Sequence, residues 1–95
     1  MTALPSGLLD LRARIDDVDA QLVALLARRR ALVEEVARLK AQHALPALDV
    51  GREAAMRAQL HRLGETQGVP PALLDAVLEA ILQDSHGVVT QRVVR

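Results

Sequence analysis

The sequence predicts an all-α protein of three helices, and three observations support this fold class. Apolar residues recur at steps of three and four from Leu8 to about Gln42, and no glycine or proline interrupts them. Two further segments begin with residues that commonly start helices, Asp49 and Pro71. No part of the sequence alternates between apolar and polar residues with a period of two, the pattern of a half-buried strand.

The first predicted helix is long and amphipathic, because charged residues fill the positions between its apolar ones. The apolar positions are Leu8, Leu11, Ile15, Val18, Leu22, Leu25, Leu26, Leu32, Val36 and Leu39. Ser6 is the expected N-cap, since a serine hydroxyl accepts a hydrogen bond from the first unpaired N–H groups of a helix. Pro46 is expected to end the helix, because proline has no backbone N–H.

Two shorter helices are expected to follow. Asp49 is predicted to cap a second helix that runs to about Gln67. The residues Gly68, Val69 and Pro70 then separate it from a third helix, which is expected to start near Pro71 or Ala72 because proline suits the first helical position.

Composition limits the ligands and the location that suit this chain. We expect one small domain, residues 1–95, with residues 1–7 and 92–95 as flexible tails. Twelve basic and twelve acidic residues cancel, and Phe, Tyr and Trp are absent, so no nucleic-acid partner is expected. Without cysteine or suitably spaced histidines, no metal site is expected. No leader or membrane-spanning segment is recognisable, so we expect a cytoplasmic protein with no membrane partner.

The length of the first helix predicts a homodimer. About 35 helical residues span roughly 52 Å, whereas a compact chain of this size has a diameter of only about 30 Å. Two shorter helices cannot cover an apolar stripe along most of that length, so a second copy of the chain is expected to cover it. The expected assembly is an intertwined homodimer.

Three cations on the first helix are candidates for binding a small anion. Arg29 and Lys40 are eleven residues apart, which places them within about 20° around the helix and about 16 Å along it. Arg12 lies about 25 Å and about 100° from Arg29, so one small ligand cannot reach both in one chain. If two such helices pair antiparallel, Arg12 of one chain can lie beside Arg29 and Lys40 of the other. Two arginines and a lysine favour a dicarboxylate, although each alone is typical of a solvated helix face.

Asp49, Arg52 and Glu53 form a second group of candidates. Asp49 and Glu53 are four residues apart and share a helix face. Acidic residues are also common in a first helical turn without any ligand, since they cap the helix and complement its dipole. As a functional pair they would accept hydrogen bonds from a substrate hydroxyl, with Arg52 holding their geometry.

Five segments share their residues and spacing with a known family: 11–19, 25–29, 36–40, 49–53 and 84–85. Over residues 8–86 the sequence resembles the AroQ-class chorismate mutases. The resemblance implies an intertwined dimer of three-helix subunits, an isomerase that converts chorismate to prephenate on the way to phenylalanine and tyrosine. It implies that no cofactor is needed. The reaction is a Claisen rearrangement, which requires no nucleophile, so electrostatic stabilisation and positioning would supply catalysis.

The resemblance also implies a role for each candidate residue. Arg12 of the partner chain and Arg29 would bind the two substrate carboxylates, and Ser85 would meet a carboxylate. Lys40 would donate to the ether oxygen of the bond that breaks. The ring hydroxyl would be held by the acidic pair and its neighbour: Asp49, Glu53 and Arg52.

One position departs from the family pattern. The family usually carries Gln or Glu four residues after the serine, where it joins the lysine at the ether oxygen, but this chain has Val89 there. Gln91 is about 240° around a regular helix from Ser85. It would reach the site only if Gly87 lets the helix bulge or break. Either Gln91 replaces the donor or the donor is missing.

A missing donor leaves further interpretations open. Some relatives with incomplete sites are activated by a partner enzyme of the shikimate pathway, and residues 92–95 would serve such docking. Other relatives act as mutases or lyases on 4-amino-4-deoxychorismate or isochorismate. An interpretation from another functional class is a non-catalytic helical dimer that binds and regulates a partner enzyme.

Overall fold

A computed structural model describes residues 4–94, which form three α-helices joined by two short connections. Helix α1 spans Ser6–Gln42, α2 spans Val50–Thr66 and α3 spans Pro71–Val94. No strand occurs among residues 4–94, and the all-α prediction is confirmed. No helix in this part of the chain is long and apolar enough to cross a membrane.

The described chain divides into two units. The first, residues 4–32, contains no element other than α1 and therefore has no core of its own. The second, residues 33–94, contains the end of α1 together with α2 and α3. Helix α1 begins inside the predicted tail 1–7, and α3 continues into the predicted tail 92–95, so both helices are longer than expected. Residues 1–3 and 95 lie outside the described part, and the single domain stays a prediction.

Helix α1 begins at Ser6, so Pro5 and not Ser6 precedes it. The N–H groups of Leu8 and Leu9 both donate to the carbonyl of Pro5, at 3.0 and 3.3 Å. Ser6 therefore lies in the first turn, and the prediction that it is the N-cap is wrong. Proline suits the position before the helix because it has no N–H that would need a partner.

The second residue of each interhelical connection has the left-handed conformation. Ala44 has a φ of 53°, and the N–H of Leu45 donates to the carbonyl of Lys40 at 2.9 Å. The same hydrogen-bond pattern closes α2. Gly68 has a φ of 72°, and the N–H of Val69 donates to the carbonyl of Gly64 at 2.8 Å. Both are Schellman closures, which fold the chain back over the last helical turn. Glycine adopts this conformation freely, whereas alanine does so at a cost.

Exchanging residue types at these two positions is expected to change stability in opposite directions. Ala44→Gly should raise the free energy of unfolding by about 0.5 kcal/mol, because the relieved strain exceeds the extra freedom of glycine in the unfolded chain. Gly68→Ala should lower it by about 1 kcal/mol. Urea unfolding followed by circular dichroism measures both. Gly51→Ala, in helical backbone, is the control, and a destabilised Ala44→Gly variant would contradict the strain argument.

The core of the second unit forms where the end of α1 meets α3. Ala37 is completely buried against Val88 and Val89. Partly buried side chains surround this cluster: Val33, Ala47 and Val93. Helices α2 and α3 also pack together, and Gly64 permits their close approach, since a Cβ there would lie 3.0 Å from the side chain of Leu74.

A row of apolar residues on α1 is exposed. In the first unit, seven of these side chains are 48–58% exposed: Leu11, Ile15, Val18, Leu22, Leu25, Leu26 and Leu32. In the second unit, Val36 and Leu39 are 44% and 55% exposed. These residues belong to the stripe from which the homodimer was predicted. Exposed apolar side chains in such numbers mark an interaction surface.

Candidate active site

Lys40 lies in the last turn of α1, and its side chain is held by the connection to α2. The Nζ atom donates to the carbonyl of Ala47 at 2.8 Å. The Schellman closure at Ala44 turns the chain back over the helix end, which brings this carbonyl within reach. An ammonium group has three N–H donors, so two remain for a ligand. Lys40 also borders an open groove of about 350 Å³, whose other lining residues are Leu45, Pro46, Leu48, Asp49 and Val50.

Asp49 caps α2, as predicted. Its backbone is extended, and its Oδ1 atom accepts a hydrogen bond from the N–H of Arg52 at 2.9 Å. The Asp49 carbonyl accepts from the N–H of Glu53 at 3.0 Å. Asp49 and Arg52 are both exposed. One Asp49 oxygen therefore stabilises the helix start, while a carboxylate retains further lone pairs for a ligand.

Glu53 is half-buried and belongs to a chain of charged groups that joins α2 to α3. Its Oε2 atom lies 2.9 Å from Nε2 of His86. Its Oε1 atom lies 3.5 Å from Nη2 of Arg57, which is itself 3.3 Å from Oε2 of Glu79. The Glu53 carboxylate is therefore held from its own helix and from α3.

Sequence reasoning missed both neighbours of Glu53. Arg57 could have been found, because it lies four residues after Glu53 on the same helix face. His86 had no such signal, since 33 residues separate it from Glu53 and only the packing of α2 on α3 brings the two together.

The predicted residues of α3 differ in their surroundings. Ser85 is half-buried, and its hydroxyl donates to the carbonyl of Ile81 at 3.0 Å. Val89 is 6% exposed and belongs to the core cluster. Helix α3 is unbroken through Gly87, so the bulge or break that Gln91 would need is not found, and Gln91 is exposed.

The remaining candidate cations lie in the first unit. Arg12 is exposed, whereas Arg29 is half-buried. The neighbouring Arg28 and Arg30 are exposed. Among residues 4–94, no group of three or more His, Cys, Asp or Glu side chains could hold a metal ion.

A known protein family matches most of this chain. The family model for chorismate mutase type II matches residues 11–88. This chain belongs to the chorismate mutase type II family. The match confirms the resemblance to AroQ-class chorismate mutases, and it includes the candidate residues from Arg12 to Ser85. Val89 and Gln91 lie beyond the matched segment of this chorismate mutase family member.

Several curated relatives are similar to most of this chain. The T-protein of Enterobacter agglomerans is 42% identical over 76 residues, which are 80% of this chain and 20% of that protein. The T-protein of Haemophilus influenzae is 37% identical over 80 residues, 84% of this chain and 21% of that protein. The bifunctional chorismate mutase/prephenate dehydratase of Escherichia coli K12 is 35% identical over 85 residues, 90% and 22% respectively. The chain thus spans about a fifth of these relatives. No solved structure matches it.

Proposed function

We propose that this chain is an isomerase that converts chorismate to prephenate in aromatic amino-acid biosynthesis. One observation carries the proposal: five candidate residues at the expected spacing lie inside the segment that matches the family model, residues 11–88. These residues are Arg12, Arg29, Lys40, Asp49 and Glu53. Relatives that share this segment include proteins named bifunctional chorismate mutase/prephenate dehydratase.

The proposed reaction suits a site built from cations. In the rearrangement a C–C bond forms while the ether C–O bond breaks, without proton transfer. The protein must hold the enolpyruvyl arm over the ring and stabilise negative charge that develops on the ether oxygen. Arg29 and the partner's Arg12 would hold the two carboxylates, and Lys40 would donate to the ether oxygen. The hydrogen bond from Lys40 to Ala47 supports this role, because an ammonium held in place needs no reorientation during the reaction.

The acidic residues of α2 would recognise the ring hydroxyl. Glu53 would accept its hydrogen bond, together with the Asp49 oxygen that is not used for capping, and Arg52 would support them. Ser85 would meet a substrate carboxylate by rotating its hydroxyl away from the Ile81 carbonyl, to which it now donates. Each of these groups lies within the second unit.

The proposed enzyme is an intertwined homodimer. The exposed apolar row on α1 supports this assembly, since a second copy would cover it. The offset of about 25 Å between Arg12 and Arg29 supports it independently, because a single chain cannot bring both to one small substrate. A cytoplasmic location and docking of a shikimate-pathway enzyme on residues 92–95 remain predictions. In this chain Arg92 lies 3.7 Å from Glu34.

Incubation with three candidate substrates tests the proposed activity. Purified protein is mixed separately with chorismate, isochorismate and 4-amino-4-deoxychorismate, and products are separated by chromatography. We expect chorismate to be consumed with formation of prephenate. Release of pyruvate from isochorismate would instead indicate a lyase. Chorismate loss at the spontaneous rate, together with calorimetric absence of prephenate binding, would favour a non-catalytic regulatory dimer and contradict the proposal.

Val89 offers a direct test of the missing donor. Val89 packs in one cluster with Ala37, which lies three residues before Lys40 on α1. Ala37 and Lys40 therefore lie on neighbouring turns of one helix face. Val89→Gln places an amide where the family usually has one, and we expect kcat to rise at least about tenfold. The same change should lower stability by about 1–3 kcal/mol, because it inserts a polar group into the core.

Val88→Gln is the matched control for this substitution, since Val88 belongs to the same cluster. It should lose similar stability without a gain in kcat. Steady-state kinetics with thermal unfolding of both variants measures the two effects. Equal kcat values for Val89→Gln and the parent chain would show that the family's second donor does not act from this position.

A further inference from the structure

His86 on α3 contacts the carboxylate of Glu53 on α2, with Nε2 and Oε2 2.9 Å apart. We propose that His86 is a positioning residue that holds the Glu53 carboxylate for the substrate. The inference rests on the proposed function, in which Glu53 accepts a hydrogen bond from the substrate ring hydroxyl. It extends that function by adding a residue of α3 that fixes Glu53.

The chemistry of the pair sets which atom donates. An ionised carboxylate only accepts hydrogen bonds, so Nε2 of His86 must carry the hydrogen, whether the ring is neutral or protonated. The bond holds Oε2, while Oε1 faces Arg57 at 3.5 Å. Four lone-pair positions on a carboxylate leave room for a hydroxyl donor. The side chains of His86 and Glu53 are 39% and 26% exposed, so a small ligand can reach the pair.

Charged groups of α2 and α3 surround this pair. From α2, Glu53 contacts His86 directly and Arg57 contacts the other oxygen of the same carboxylate. On α3 itself, Glu79 contacts Arg57, and Asp84 precedes His86 by two residues.

The hydrogen bond from His86 restricts the Glu53 side chain from a second helix. Glu53 lies on α2, and Nε2 of His86 on α3 is 2.9 Å from its Oε2 atom. A carboxylate that is already held loses less conformational freedom when it accepts the substrate hydroxyl. Loss of the His86 donor should therefore weaken substrate binding.

A second histidine–carboxylate pair provides a control, because it distinguishes the positioning of Glu53 from a general contribution to the packing of α2 on α3. His61 on α2 lies 2.7 Å from Asp75 on α3, so this pair joins the same two helices. Neither residue belongs to the proposed substrate site. His61→Gln is therefore a matched control for loss of an interhelical histidine–carboxylate contact.

The experiment compares KM and kcat for chorismate at one pH in four proteins. His86→Leu removes the donor, and we expect its KM to rise about three- to tenfold while kcat stays nearly constant. His86→Gln keeps an N–H donor, so its KM should lie within about twofold of that of the parent chain. His61→Gln should keep the KM of the parent chain.

The outcomes separate this inference from the proposed function. A His86→Leu variant with the KM of the parent chain overturns the inference while the mutase activity stands. An equal rise of KM in His61→Gln also overturns it, because the effect would then be structural. If the parent chain does not convert chorismate, both the proposed function and the inference fail. Unfolding curves for all four proteins verify that each is folded where it is assayed.

Discussion

Replacing Lys40 by alanine is expected to lower kcat for chorismate by about 100- to 1,000-fold. This is the loss typical of removing one preplaced donor to an oxygen that gains negative charge in the transition state. The hydrogen bond from Nζ to the Ala47 carbonyl already holds the ammonium, so its contribution does not depend on ordering a mobile side chain. Steady-state kinetics at saturating chorismate measures the effect on kcat apart from that on KM.

Two controls distinguish this loss from local unfolding. Lys40→Met keeps the apolar stem of the side chain and should be as inactive as the alanine variant. Arg38→Ala removes a cation two residues away, whose contact with Glu35 is exposed at 3.8 Å, and should keep activity within about twofold. Circular dichroism should show unchanged helix content in all three. Full activity of either Lys40 variant would remove the basis for the proposed mechanism.

The helices were predictable because their apolar periodicity and proline positions act locally. The boundaries were less so: Pro5 rather than Ser6 precedes α1, since a carbonyl and not a side chain accepts the first hydrogen bonds. The residue type of Ala44 did not indicate that it would adopt the left-handed conformation, which is usually found in glycine. Consequently the contact between Lys40 and the Ala47 carbonyl could not be foreseen.

The candidate site shows the same division between local and long-range information. The capping bond from the Arg52 N–H to Asp49 follows from residue types three positions apart, and the structure contains it. The contact between Glu53 and His86 depends on how α2 packs on α3, which a single sequence does not specify. Whether Gln91 can replace the missing donor also depends on the structure. Helix α3 is unbroken, so the local rearrangement that Gln91 would need is not found. Long-range neighbours can therefore add chemistry to a family site without altering its sequence pattern.

Mixing two inactive variants is expected to restore activity if the site is shared between chains. Arg12→Ala and Arg29→Ala should each lower kcat/KM by at least about a hundredfold, since each removes a bidentate carboxylate contact. In a mixed dimer, one site would take Arg29 from the first variant and Arg12 from the second, and would be intact. Random pairing makes half of the dimers mixed, each with one intact site of two, so about a quarter of parental activity should return.

The converse mixture supplies the control. A chain carrying both Arg12→Ala and Arg29→Ala cannot form an intact site with a parent chain, so refolding the two together in equal amounts should halve the activity of the parent chains present. If Arg12 acts within its own chain, the single variants will not complement and the double variant will not inhibit. Leu22→Glu, which charges the middle of the exposed apolar row, should prevent both effects by blocking dimer formation. Light scattering of the parent chain should accordingly show a particle of twice 10.3 kDa.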